Sequence, residues 1–255
     1  MKQLFSKFNL VLAVFIVMGI TSVKAQSNQY LDFDGVNDFD SVPNGSAAIA
    51  NSNAISICGW FYDNLLSYGK GMAGIRGTGG EFYMLELNTG QVEARFKNSA
   101  GTLYDVPHVN NTIIPQQWQF FSMVYDGSTV KLYRDSSLVG SINATGMITT
   151  TTIPFTIGKS LLTGFNFVYS GRADEVSVWK KAVTLTEIKS MMLHELTGTE
   201  PLLQMYYKFN QGVPGGNNTS ITMLHSEVNS PTYDAFLNNF ALTGSSSNFE
   251  GTLNS

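Results

Sequence analysis

Gln119-Phe120-Phe121-Ser122-Met123-Val124-Tyr125, then Asp126-Gly127-Ser128, then Thr129 and Val130-Lys131-Leu132-Tyr133-Arg134, is the stretch that decides the fold. The second run alternates apolar and polar residues, the period-two signature of a strand with one face in a core. The break between the runs carries a glycine, which accepts the positive φ of a tight hairpin turn. The same pattern recurs on both sides. Residues 81–87 and 91–96 are joined by Asn88-Thr89-Gly90, Val176-Ser177-Val178-Trp179 alternates, and Tyr30-Leu31-Asp32-Phe33 opens the series. Many short strands at even spacing predict an all-β jelly-roll sandwich of two antiparallel sheets, not a parallel α/β sheet.

One segment departs from this pattern. Thr184-Leu185-Thr186-Glu187 reads as a capping box, in which the threonine and glutamate satisfy each other's backbone amides. Leu185, Ile188 and Met192 follow at helical spacing and Gly198 is a stop signal, so one short helix is expected near the C-terminal end of the domain.

Residues 1–25 stand apart. Lys2 and Lys7 precede an apolar run over 10–20, and Val23-Lys24-Ala25 offers a cleavage site, which together read as a secretory signal peptide. The run is shorter than the roughly 20 residues that span a bilayer. A secreted or cell-surface protein is expected, with no transmembrane segment after signal cleavage. The chain is 43% hydrophobic and 12% aromatic, enough for a full core. Only 13% of residues are charged and the net charge is -4, which argues against nucleic acid and anionic membrane surfaces as partners. The single cysteine, Cys58, excludes an internal disulfide and reads as a small core residue. The domain is expected over 26–209. Residues 210–255, opened by the turn-rich Gly212-Val213-Pro214-Gly215-Gly216 and rich in Asn, Ser and Thr, read as a linker or a partial following module.

Four ordered motifs carry a family resemblance. Tyr30-Leu31-Asp32-Phe33-Asp34-Gly35-Val36-Asn37-Asp38 resembles the opening strand and loop of laminin-G-like jelly-roll domains in the concanavalin A-like lectin/glucanase superfamily. Ile55-Ser56-Ile57-Cys58-Gly59-Trp60-Phe61 is similar to their second core strand, and Trp118 through Tyr133 to their central hairpin. Gly171-Arg172-Ala173-Asp174-Glu175-Val176-Ser177-Val178-Trp179 resembles their closing strand. Residues 205–212 and 237–249 look like connectors in exported surface proteins of Bacteroidetes-type bacteria. The resemblance implies the fold but leaves function open, since lectins, adhesins and glycosidases share it.

Hydrolysis by such a fold needs two carboxylates about 5 Å apart, supplied on a strand by alternating acids. No E-x-D-x-E run occurs; Glu81 and Glu86 fall on opposite faces, and the adjacent Asp174 and Glu175 are expected to diverge. His108, His194 and His225 lack metal spacing. No catalytic residue is therefore assigned, and the chain reads as a non-catalytic recognition module for a glycan or a surface protein, in adhesion. The alternatives are a glycoside hydrolase or its carbohydrate-targeting domain, and a structural spacer. Asp32, Asp34, Asn37, Asp38 and Asp40 crowd one short loop, a density of oxygen donors that suits either structural Ca²⁺ or local turn hydrogen bonds. The resemblance implies a calcium set of Asp34, Asn37, Asp38 and Asp174. For sugar stacking and orientation the candidates are Arg76, Tyr83, Arg95 and Tyr104, with Tyr68 nearby. Trp60, Trp118 and Trp179 lie in strand motifs and are expected in the core.

Overall fold

The protein is described by a computed structural model over residues 28–77, 80–149 and 152–251. The expected signal peptide lies outside these residues. Two antiparallel sheets face each other across one core. The first runs, edge to edge, Ser137–Asn143, Thr129–Arg134, Trp118–Tyr125, Ile55–Asp63, Ser170–Trp179, Gln29–Asp34 and Phe249–Gly251, with Leu203–Tyr207 also paired to Ser170–Trp179. The second runs Met223–Leu224, Ala235–Asn238, Phe39–Val42, Phe155–Ile157, Lys70–Gly77, Gly80–Leu87, Gln91–Lys97 and Leu103–Asp105.

Strand alternation divides each sequence between an inner and an outer face. Phe82 and Met84 enter the main core with Leu31, Phe33, Ile57 and Met123, whereas Tyr83 and Leu85 join Phe167 in a separate cluster on the outside. Both expected hairpin turns form, with Thr89 and Gly90 at φ 63° and 66° and Gly127 at 91°. The helix spans Leu185–Met191 and both halves of its capping box are present. Its buried Ile188 and Met191 pack with Cys58, Phe120 and Trp179 on the outer side of the first sheet. Burial pushes the Cys58 thiol up to about 12, which makes it inert.

The boundary expected after residue 209 does not divide this structure. Phe249–Gly251 pairs with Gln29–Asp34, and Ala235–Asn238 pairs with Phe39–Val42, so the C-terminal stretch extends one edge of each sheet. Leu224, Ala235, Leu242 and Phe249 are buried in the same core as Leu31 and Val42. These apolar residues stand alone or in runs of two or three among polar ones and make almost no periodic signal, yet each is buried in the common core.

Candidate functional site

A two-stranded hairpin, Lys159–Leu162 with Phe165–Val168, stands over the outer face of the second sheet. Its Phe167 packs on Tyr83 and Leu85, which closes that part of the face. Beside it lies a cavity of about 540 Å³, lined by Arg76, Glu81, Lys97, Asn98 and the hairpin residues Leu161, Leu162 and Thr163. Arg76 and Glu81 are cross-strand partners, as are Glu81 and Lys97, so three neighbouring strands place three charged side chains on one surface.

Arg76 is held by aromatic faces, not by an acid. Its guanidinium lies 4.7 Å from the Tyr83 ring centroid and 5.8 Å from that of Phe167, and Nη1 donates to Ser160 Oγ at 3.3 Å. Its Nε is buried and has no hydrogen-bond partner, and the same holds for Glu81 Oε2. Lys97 Nζ stands 3.8 Å from Glu81 Oε1. Two residues that line the cavity thus each carry a buried polar atom without a hydrogen-bond partner, which is costly.

The four residues expected to bind sugar separate into different roles. Only Arg76 lines the cavity. Tyr83 is 2% exposed beneath Arg76 and Phe167, so its ring supports the guanidinium and is not open for stacking. Its hydroxyl donates to Glu93 Oε1. Arg95 lies on the same face but its Nη2 donates to Glu93 Oε2 and Asp105 Oδ2, each at 2.9 Å. Tyr104 belongs to the opposite side. It stacks on the buried Phe96 at 5.7 Å and its hydroxyl pairs with Thr145. Tyr68 contacts Phe167 edge-on at 6.2 Å. Glu81 and Lys97 were missed because charged strand residues read as ordinary solvent-facing positions. The hairpin had a usable signal: Phe165-Asn166-Phe167 alternates directly after Gly164, which takes φ 85°.

The expected calcium ligands do not assemble around one point. Asp34 is paired with Ser170, four residues along the strand from Asp174, a separation of roughly 13 Å at strand rise. Within the loop, Asp34 Oδ1 accepts from the Val36 amide at 2.7 Å and Asp38 Oδ2 from the Asp34 amide at 3.0 Å, the turn bonding that short acids favour. Asp174 instead accepts from Asn28 Nδ2 and the Glu175 amide. Asp38 and Asp40 are fully buried, with one oxygen and both oxygens unpartnered respectively. Burial raises the Asp38 carboxyl to about 6 and Asp40 well above the usual range, which favours neutral acids there. Among the described residues, three potential metal donors do come within 4.8 Å of one another at Glu93, Asp105 and His108, but the Arg95 guanidinium already supplies the positive charge between the two acids.

Glu81 faces outward, whereas Glu86 is buried against Lys70. Asp174 and Glu175 do not diverge as a regular strand would require. A bulge between Asp174 and Ser177, with Glu175 at φ 52°, brings both to one small cleft. There Asp174 is tied to Asn28 and Glu175 accepts the Tyr206 hydroxyl. Trp179 is buried as expected at 2%, but Trp60 and Trp118 are partly exposed on the outer face of the first sheet.

Comparison with known proteins places this architecture. A laminin G family model, described as the concanavalin A-like lectin/glucanases superfamily, matches residues 34–189. No curated protein matches the chain. Among solved structures, a Bacteroides ovatus protein described as carbohydrate binding superposes with a TM-score of 0.60 at 16% identity, covering 84% of this chain and 58% of that one. This chain therefore spans well under two thirds of that protein's length. The CBM40 module of a Ruminococcus gnavus sialidase, bound to α2,3-sialyllactose, superposes with a TM-score of 0.54 at 13% identity over 64% of this chain and 97% of its own. At such identities the likeness is one of fold. With the family match covering more than half of its residues, the chain belongs to the laminin G branch of the concanavalin A-like lectin/glucanase superfamily.

Proposed function

We propose that the protein is an exported, non-catalytic glycan-binding module that seats its ligand in the cavity between the second sheet and the 159–168 hairpin. The observation that carries this reading is the cross-strand row of Arg76, Glu81 and Lys97 lining that cavity, with the Arg76 guanidinium held by rings and not by an acid. A polyhydroxylated ligand offers both what the guanidinium donates to and what the carboxylate accepts from, whereas an apolar ligand offers neither. Aromatic support holds Arg76 in place before binding, so little order is lost when a sugar arrives. The structural likeness to carbohydrate-binding modules supports the same reading. Adhesion is the role such binding would serve on a secreted protein.

A glycan array probed with the wild-type protein and with Arg76→Met and Glu81→Gln tests this. Specific binding lost in both variants, with no reducing sugar released from the bound glycans, is the expected result. Binding unaffected by either substitution would remove the cavity from consideration, and sugar release would make the protein a hydrolase.

A further inference from the structure

On the outer face of the first sheet, two adjacent cross-strand rows place unusual side chains together. One row aligns Asp174, Trp60 and Phe120; the next aligns Asp32, Arg172, Tyr62 and Trp118. The Trp118 ring contacts Tyr62 at 5.7 Å and reaches Tyr30 at 5.4 Å, although the strands carrying Trp118 and Tyr30 are separated by two others. It therefore lies across the sheet surface and does not stand off it. Arg172 is fixed beneath, 5.1 Å from the Tyr30 ring centroid and 4.6 Å from that of Tyr62, with Nε 3.4 Å from Asp32. Trp60 is held edge-on by Phe120 at 5.2 Å. Between the two indoles is a pocket of about 210 Å³, lined by Trp60, Trp118, Asn28 and Asp174. A second cavity of about 160 Å³ shares Asn28, Trp60 and Asp174 with the first and continues to Glu175 and to His194 and Glu195 just beyond the helix.

We propose that this pocket is a second sugar-binding site, taking a single neutral pyranose ring between Trp60 and Trp118, with the neighbouring cavity receiving the next residue of a chain. The two indoles offer apolar walls for the C–H faces of a ring, and Asn28 and Asp174 offer an amide and a carboxyl to its hydroxyls. The pocket is too small for a drug-sized ligand but has room for one ring. The nearby cations Arg172 and Lys208 are already paired with Asp32 and Glu195, which favours a neutral sugar over an anionic one. Burial keeps Asp174 largely in its neutral form, able to donate as well as accept. The site lies on the opposite sheet from the Arg76 cavity, and the two are independent.

The test follows the three indole N–H signals by NMR while the protein is titrated with methyl β-glucopyranoside, methyl β-galactopyranoside and methyl α-mannopyranoside, and with neutral disaccharides of each. The Trp60 and Trp118 signals are expected to move, while the buried Trp179 serves as an internal control. Trp60→Ala and Asn28→Ala should each weaken the binding about tenfold, the size of one lost stacking or polar contact. Asp174→Asn keeps the shape of the pocket and covers the case in which Trp60→Ala does not fold. Arg76→Met should leave these shifts unchanged, so failure of the first cavity as a glycan site does not touch this result. No movement of Trp60 and Trp118 with any saccharide, unchanged affinity in Asn28→Ala and Asp174→Asn, or loss of the shifts in Arg76→Met would each overturn the proposal.

Discussion

Lys70 Nζ lies 2.9 Å from Asp63 Oδ2, with both side chains almost wholly buried between the sheets. The same ammonium reaches Glu86 Oε2 at 3.3 Å and donates to the Leu65 carbonyl. It is a buried positive charge that sits between two buried acids where the strands Ile55–Asp63, Lys70–Gly77 and Gly80–Leu87 come together. Replacing it by Met retains the aliphatic stem but leaves the buried Asp63 uncompensated, so Lys70→Met is expected to destabilise the domain by about 3–5 kcal/mol. Urea unfolding followed by near-UV circular dichroism measures it.

The acids of this fold set the direction of its pH dependence. Burial, together with the neighbouring Asp63, raises the Glu86 carboxyl to about 9; burial also raises Glu175 to about 7 and Asp38 to about 6. Each folded acid holds its proton through a range where the unfolded one has lost it, so folding takes up protons. Stability therefore falls as pH rises from about 4.5, the unfolded glutamate range, to about 9. Melting temperature should be lower at pH 8 than at pH 5, by roughly 2–4 °C for each kcal/mol. Glu86→Gln mimics the protonated form and should flatten the slope. An unchanged slope in that variant would mean that Glu86 is ionised in the fold.

Tyr83 tests how the candidate cavity is built. Tyr83→Phe keeps the ring under Arg76 and removes only the hydroxyl donated to Glu93. It should cost about 1.5–3 kcal/mol, as for a hydrogen bond to a charged group, and leave glycan binding intact. Tyr83→Ala removes the support of both Arg76 and Phe167 and should abolish binding. Isothermal titration with an array-selected glycan, beside thermal melts, separates the two effects.

Residues 210–255 offer a sharp test of domain extent. A linker could be deleted without consequence. Here deletion removes Leu224, Ala235, Leu242 and Phe249 from the core, one edge strand from the first sheet and two from the second. A chain ending at Phe209 is expected to lose cooperative unfolding and to collapse the dispersion of its amide NMR spectrum.

The capping box gives a smaller, local prediction. Thr184 Oγ1 accepts from the Glu187 amide at 3.2 Å, and Glu187 Oε2 accepts from the Thr184 amide at 2.7 Å. Thr184→Ala should cost about 1 kcal/mol, measurable as a modest drop in melting temperature with binding unchanged.

The period-two runs, their glycine turns and the capping box were legible from the chain alone, because each depends on residues within a few positions of one another. Phe82 and Met84 must point one way and Tyr83 and Leu85 the other, whatever lies across the sheet. Alternation does not say which side is covered. Tyr83 proved sealed because a hairpin some eighty residues later folds over it, and Trp60 and Trp118 proved accessible because the helix covers only part of the first sheet. The meeting of Asp174 with Glu175 in one cleft, the distance of Asp174 from Asp34, and the placing of Phe249 beside Leu31 follow from a bulge, a register and an edge pairing. Those are relations between distant segments. They arise when the two sheets close over a common core, and no local pattern of residues encodes them.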